Sequence, residues 1–471
     1  MQREKNLIKN TVVLGFGKIF PQLAALITLP IYTGMLSTAE YGTYDLINVL
    51  VYILDVVVVL QIHQAVFRFL IDVRGTKKEE LYISNTAIFS VFPALIASII
   101  LGLCCISQPP LIRVLIGIYL FFNIEYSVCG QIARGLGDNK RYTIASIISS
   151  GLNMILVIAL ISGLKWGFIG LFTSLDLAYA VATLYMFFGC GQHKKIQIQL
   201  FDWKIIKEML VYSWPMIPNT LSVWVVQTAD KFIIRLFLGV EKNGIFAVAQ
   251  KIPNIFSLAY STFNMAWQES ASISEKDADS SKYYNEIFGA LFDFLVGCML
   301  VLISFTPILF AILVRGSYEE SYNQIPLIYI GVFFSSISSF FGSIYIAKKA
   351  TVEVGVSSII AAVVNCVINF TLIKWIGLYA ASISTIVAYL ILALYRGFDI
   401  NRRGYAKINY RKGHATACVI LISISCVLCY QQKLVCNIVN AVIGIIGFIV
   451  LNRKMLVAVC SGIFKKFREG K

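Results

Sequence analysis

Stretches of roughly twenty predominantly apolar residues, the length a helix needs to cross a ~30 Å hydrocarbon core, recur from one end of this chain to the other. Inside a bilayer no water satisfies an exposed backbone, so spanning segments must be helices or a closed barrel. These runs are continuous rather than short and alternating, which excludes a barrel. Of 471 residues, 58% are hydrophobic and 14% charged, whereas a soluble domain carries about a quarter charged residues. The expected fold class is therefore an all-α polytopic membrane protein. About fourteen spans are drawn, near 8–35, 43–71, 83–106, 111–132, 143–163, 167–189, 209–237, 243–270, 285–314, 324–346, 353–374, 377–398, 414–431 and 436–452. Pro21, Pro30, Pro215, Pro218 and Pro253 remove helix donors and should bend or break their segments. The N-terminal run is too long for a signal-peptide core and is read as a retained first helix.

The net charge of +15 would raise nucleic acid as a partner in a soluble protein. Its location argues otherwise, because the cations gather in alternate short loops, as topology signals do. One set of connections holds Arg74, Lys77, Lys78, Arg134, Lys140, Arg141, Lys194, Lys195, Lys204, Lys207, Lys276, Lys282, Lys348 and Lys349, and the loop 396–413 adds Arg396, Arg402, Arg403, Lys407, Arg411 and Lys412. The other set holds only Lys165, Lys242, Arg315, Lys374 and Lys433. That asymmetry places both termini in the cytoplasm. The segment 194–209 mixes basic and apolar residues, as a stretch lying along the inner membrane surface would. An ordinary linker is the plainer reading. The eleven cysteines lie mostly in apolar runs, and the three histidines lack metal-ligand spacing. No P-loop, G-x-S-x-G or H-E-x-x-H is present, so no cofactor, metal or catalytic residue is expected.

The chain repeats. Residues 131–153 align at an offset of 212 with 343–365, and each copy runs on into Lys165-Trp166-Gly167 or Lys374-Trp375-Ile376-Gly377. The stretches after these share a serine at Ser174 and Ser384. Two copies that start on the same side form a parallel repeat. The expected division is a six-helix lobe over 1–192, a linker over 193–208, a second six-helix lobe over 209–400, and a loop, two extra helices and a basic tail over 401–471.

An ionisable group at membrane depth is costly and usually faces a protein interior or watery cavity. Lys18, Arg68, Lys231, Arg235 and Lys251 all fall within or at the ends of apolar runs. As a group they are candidates for a cationic cavity that receives an anion such as a diphosphate. The plainer alternative, strongest for Arg68 and Arg235, is snorkelling toward the headgroups. Asp55, Glu125 and Asp176 are candidate ion-coupling carboxylates, with helix packing as their alternative. Asp230 projects about 100° away from Lys231 around a helix and suits a structural role.

Lys9-Asn10-Thr11, Gly17-Lys18 and Ala39-Glu40-Tyr41-Gly42-Thr43-Tyr44 resemble the opening of Wzx-type oligosaccharide flippases. Tyr212-Ser213-Trp214-Pro215-Met216-Ile217-Pro218-Asn219, Asp230-Lys231-Phe232-Ile233-Ile234 and Phe263-Asn264-Met265-Ala266-Trp267 are similar to their second lobe. The wider superfamily also contains lipid II flippases and multidrug and toxin extruders. The resemblance implies two pseudo-symmetric six-helix lobes in a V around a central cavity. It implies translocation of an undecaprenyl-diphosphate-linked oligosaccharide to the outer leaflet of a bacterial plasma membrane, for O-antigen, capsule or exopolysaccharide. Polysaccharide polymerase and glycosyltransferases are the implied partners. Lys18 and Lys231 lie in matching motifs and carry the family's cavity role best. An ion-coupled small-molecule extruder and a lipid II flippase are the alternatives.

Overall fold

The computed structural model describes residues 2–457 apart from 215, 278, 349, 410, 411 and 454. Within helices the side chains of residues 2–16, of Lys18 and of some later positions lie outside that description. Among the described residues every regular element is a helix. Among those residues eleven helices are long and apolar enough to cross a membrane, and Ile19–Met35 is a shorter apolar one.

Contacts divide the chain into two compact units: Met1–Ala229 with Arg315–Ser317, and Asp230–Val314 with Tyr318–Lys471. The first contains α1 (Gln2–Met35), α2 (Thr38–Val58), α3 (Ile62–Val73), α4 (Lys78–Cys104), α5 (Pro110–Gly135), α6 (Asn139–Val157), α7 (Gly167–Gly189), α8 (Gln192–Lys195), α9 (Trp203–Ser213) and the start of α10 (Met216–Leu238). The second contains the rest of α10, α11 (Val240–Lys251), α12 (Pro253–Ile273), α13 (Ser280–Leu313), α14 (Ile325–Ala347), α15 (Thr351–Ile376), α16 (Tyr379–Arg402), α17 (Lys412–Tyr430) and α18 (Leu434–Leu451).

Local chemistry explains the helix ends. The motif around Ala39-Glu40-Tyr41 opens α2 with a capping box. The Glu40 amide donates to Ser37 Oγ at 3.2 Å, and the Ser37 amide donates to Glu40 Oε2 at 2.8 Å. At the other end of a helix, Arg74 caps α5. Its Nε and Nη2 donate to the Gly135 carbonyl at 2.9 and 2.7 Å. Gly135 is small for a reason, since a Cβ there would lie 2.8 Å from Leu70 Cβ where α3 crosses α5.

Three sequence expectations are modified. Pro21 and Pro30 lie inside α1 without breaking it. Pro21 lacks the N–H that would bond the Gly17 carbonyl four residues back, and the Ser146 hydroxyl donates to that carbonyl at 2.8 Å instead. The second span is interrupted, although it holds neither proline nor glycine at the break. Leu60 and Gln61 take left-handed φ values of 49° and 54°. The third change is at Arg396, assigned above to a loop, because α16 runs on to Arg402 and encloses it.

Two aligned positions of the sequence each carry a polar pair. In the first unit the Ser174 hydroxyl donates to Asn153 Oδ1 at 3.1 Å, joining α6 and α7. In the second, Asn365 Nδ2 donates to Ser384 Oγ at 3.4 Å, joining α15 and α16.

Candidate functional site

In the first unit α2, α5 and α7 each contribute one buried carboxylate: Asp55, Glu125 and Asp176. Asp55 Oδ2 accepts a hydrogen bond from Ser127 Oγ at 3.1 Å. Asp55 Oδ1, Glu125 Oε1 and both oxygens of Asp176 are buried with no hydrogen-bond partner among the described residues. No ion pair reaches any of the three among the described residues. A bare carboxylate away from water is very costly, so such groups take a proton, a cation or an ordered water.

Tyr119, Tyr126 and Tyr179 lie in the same helices, α5 and α7, as two of these acids. Tyr119 OH donates to Asn48 Oδ1 at 2.7 Å. Tyr119 and Tyr179 lie 5.6 Å apart between ring centroids, and Tyr179 lies 5.2 Å from Tyr126. Asp176 is within electrostatic reach of Tyr119, and Asp55 within reach of both Tyr179 and Glu125. The arrangement is a string of acids and phenols rather than one coordination sphere. Among the described residues no three His, Cys, Asp or Glu side chains gather as a metal site would require.

In the second unit Asp230 is buried where α10 meets α15 and α16. Asn369 Nδ2 donates to its Oδ1 at 2.7 Å and Thr385 Oγ1 to its Oδ2 at 3.1 Å. Lys231, the next residue, is partly buried. Arg235, four residues on and so on the same helical face as Lys231, is exposed. Lys251 is partly buried in the last turn of α11, just before Pro253. Arg68, in the first unit, is half exposed and bonds Asp72 one turn on at 2.5 Å. The Lys18 side chain lies outside the described residues.

Arg396 is the buried cation that sequence reading missed. Its Nε donates to Ser357 Oγ at 3.0 Å and its Nη1 to the Ser338 carbonyl at 2.9 Å. Its Nη2 donates to the Val354 carbonyl at 3.0 Å and to Ser358 Oγ at 2.9 Å. The guanidinium thus ties α16 to α14 and α15 with no carboxylate. The paired serines Ser357-Ser358 in an apolar run were the available signal.

Known proteins now give this arrangement a context. Residues 7–268 match the family described as polysaccharide biosynthesis protein. No curated protein matches the chain. The lipid II flippase MurJ in an inward closed conformation is structurally similar, with a TM-score of 0.71 at 14% identity over 95% of this chain and 100% of that one. A MATE-family multidrug resistance transporter of the MOP superfamily, inward-facing, gives a TM-score of 0.66 at 14% identity over 81% and 95%. A MOP-superfamily transporter from Pyrococcus furiosus, described for the reversed polarity of its binding pocket, gives 0.55 at 14% identity over 84% and 95%. These likenesses establish the fold. The sequence match extends over more than half the chain, and the protein accordingly belongs to the polysaccharide biosynthesis protein family.

Proposed function

We propose that the protein is a flippase that moves an undecaprenyl-diphosphate-linked oligosaccharide across a bacterial plasma membrane by alternating access. The observation that carries this reading is the family match over residues 7–268, on a fold also seen in a lipid II flippase. The physical problem is the headgroup, whose hydroxyls would lose their water in hydrocarbon with nothing in exchange. A polar path lets the headgroup stay solvated while the lipid tail stays in the bilayer. Rocking of one repeat against the other exchanges access to the two faces.

In this reading Lys18, Arg68, Lys231, Arg235 and Lys251 attract the diphosphate, and Lys18 and Lys231 matter most. A membrane potential negative inside favours outward movement of anionic charge, by about 2.3 kcal/mol per charge per 100 mV. Asp55, Glu125 and Asp176 supply a second drive as proton acceptors coupled to the cycle. Their support is the four carboxylate oxygens that lack a partner.

The test is complementation of a flippase-deficient strain, reading surface polysaccharide and the lipid-linked units retained inside. The wild-type chain should restore export. Lys18→Ala and Lys231→Ala should each lower it at least tenfold at equal membrane abundance. Full export by both variants overturns the anion site, and rescue of a lipid II flippase mutant alone redirects the substrate. In inverted vesicles held at constant potential, collapse of the pH gradient should slow the wild type. It should leave Asp176→Asn unaffected at its already low rate. A wild type indifferent to the gradient removes proton coupling.

A further inference from the structure

We infer that the connector between α7 and α10 is an anchoring ledge that docks on anionic phospholipid headgroups and holds the first unit at the membrane surface. The connector does not hang free. Ser84 Oγ donates to the Lys195 carbonyl at 3.1 Å and accepts from the Gln197 amide at 2.9 Å. Asn85 Nδ2 donates to the Leu200 carbonyl at 2.9 Å, and Asn85 Oδ1 accepts from the Asp202 amide at 2.8 Å. Lys195 pairs with Glu79, and Gln197 Nε2 donates to Glu80 Oε2 at 2.9 Å. The ledge continues into α9, which turns Ile206, Met209 and Ser213 inward with no exposure.

Depth follows from these partners. Residues 79–85 occupy the first two turns of α4, about 10 Å of helix at 1.5 Å per residue. The hydrocarbon core takes ~30 Å of a bilayer that is ~40–45 Å thick with its headgroups. That leaves about 5–7 Å of interface on each side, so a ledge bonded to the first two turns of a spanning helix lies between the headgroups and the outer edge of the hydrocarbon.

Its outer surface suits that zone. Ile198, Trp203, Val211 and Trp214 are 81%, 62%, 68% and 61% exposed. Lys194, Lys204 and Lys207 are exposed beside them, as are Lys77 and Lys78 at the start of α4. Of the neighbouring acids, Glu79 is paired with Lys195. Glu80 and Asp202 bond only neutral amides, of Gln197 and of the Lys204 backbone at 2.8 Å, and keep their charge, as does exposed Glu208. Lys77, Lys78, Lys194, Lys204 and Lys207 outnumber these three carboxylates, so the field is positive. Apolar and aromatic side chains interleaved with lysines recognise an anionic interface by burying the rings among acyl chains and placing the ammonium groups on phosphates. This inference stands apart from the identity of the transported substrate.

The test uses the full-length protein in nanodiscs of phosphatidylcholine, with or without phosphatidylglycerol. The signal of Trp203 is the difference in tryptophan emission between the wild type and Trp203→Phe. Chains brominated near the headgroup should quench it, and more strongly on phosphatidylglycerol than on phosphatidylcholine. Joint replacement of Lys194, Lys204 and Lys207 by glutamine should remove at least half of that preference, as should high salt. Ile198→Asp touches none of the bonds to α4 and should also weaken the quenching. Trp203 quenched by aqueous acrylamide and indifferent to brominated lipid overturns the proposal. So does equal quenching on both headgroups that the lysine replacements leave unchanged.

Discussion

Asp230 and Arg396 are both buried in the second unit, yet replacing them should have consequences of very different size. Asp230 accepts hydrogen bonds from Asn369 Nδ2 and Thr385 Oγ1. Asp230→Ala leaves both donors facing a void, at about 1–3 kcal/mol for each unsatisfied group. Around Arg396 the acceptors have other partners. Ser357 and Ser358 also donate to the Val354 carbonyl, at 3.1 and 2.8 Å. Replacing a buried ion by an apolar side chain of similar volume is often neutral when nothing is orphaned. Arg396→Met should therefore shift stability by about 1 kcal/mol or less, and Asp230→Ala should cost several-fold more. Thermal unfolding of the purified proteins in detergent decides the order. A larger loss for Arg396→Met would show that the guanidinium, rather than the carboxylate, is indispensable to packing.

At the scale of the element, the break between α2 and α3 is set from outside. Nothing in Val57–Gln64 forbids a helix, since the stretch has no proline and no glycine. The bonds that hold it open come from α9 and α10. Gln61 Nε2 donates to Thr220 Oγ1 at 2.7 Å, and Ser213 Oγ donates to the Leu60 carbonyl at 2.8 Å. Gln61 sits at a φ of 54°, where a residue with a Cβ carries roughly 1–2 kcal/mol of strain. Gln61→Ala and Gln61→Gly both lose the Thr220 bond, but only glycine escapes the strain. Glycine should thus be the more stable of the two by about 1 kcal/mol, the reverse of its ~1 kcal/mol penalty inside a helix. Melting temperatures of the pair report which backbone exists, and a more stable alanine variant would mean a continuous helix.

For the whole molecule, α17 and α18 belong to the second unit and are tied into it by polar bonds and close packing. Asn440 Nδ2 donates to the Ser425 carbonyl at 3.0 Å, and Ser304 Oγ of α13 donates to the Asn440 carbonyl at 2.7 Å. The helices touch along glycines. A Cβ on Gly444 would stand 2.5 Å from Ser304 Oγ and 3.0 Å from the Leu300 carbonyl oxygen. Gly444→Val cannot be relieved by a side-chain rotation alone, because that carbonyl is backbone. It should cost about 1–3 kcal/mol as overpacking and speed tryptic cleavage near Arg402 and Arg403. An unchanged cleavage rate would mean that the pair is held by something other than this close approach.

Much of this was legible before folding. Hydropathy set the helical class, because hydrocarbon leaves the backbone no partner but itself. Asp55, Glu125 and Asp176 stood out because an acid in an apolar run is costly wherever it points. What side chains meet was another matter. The break at Leu60–Gln61, the serine that serves the carbonyl freed by Pro21, and the enclosure of Arg396 all depend on partners more than thirty residues away. A one-dimensional pattern records the price of burying a group, whereas the identity of the atom that satisfies it is settled only when distant helices pack.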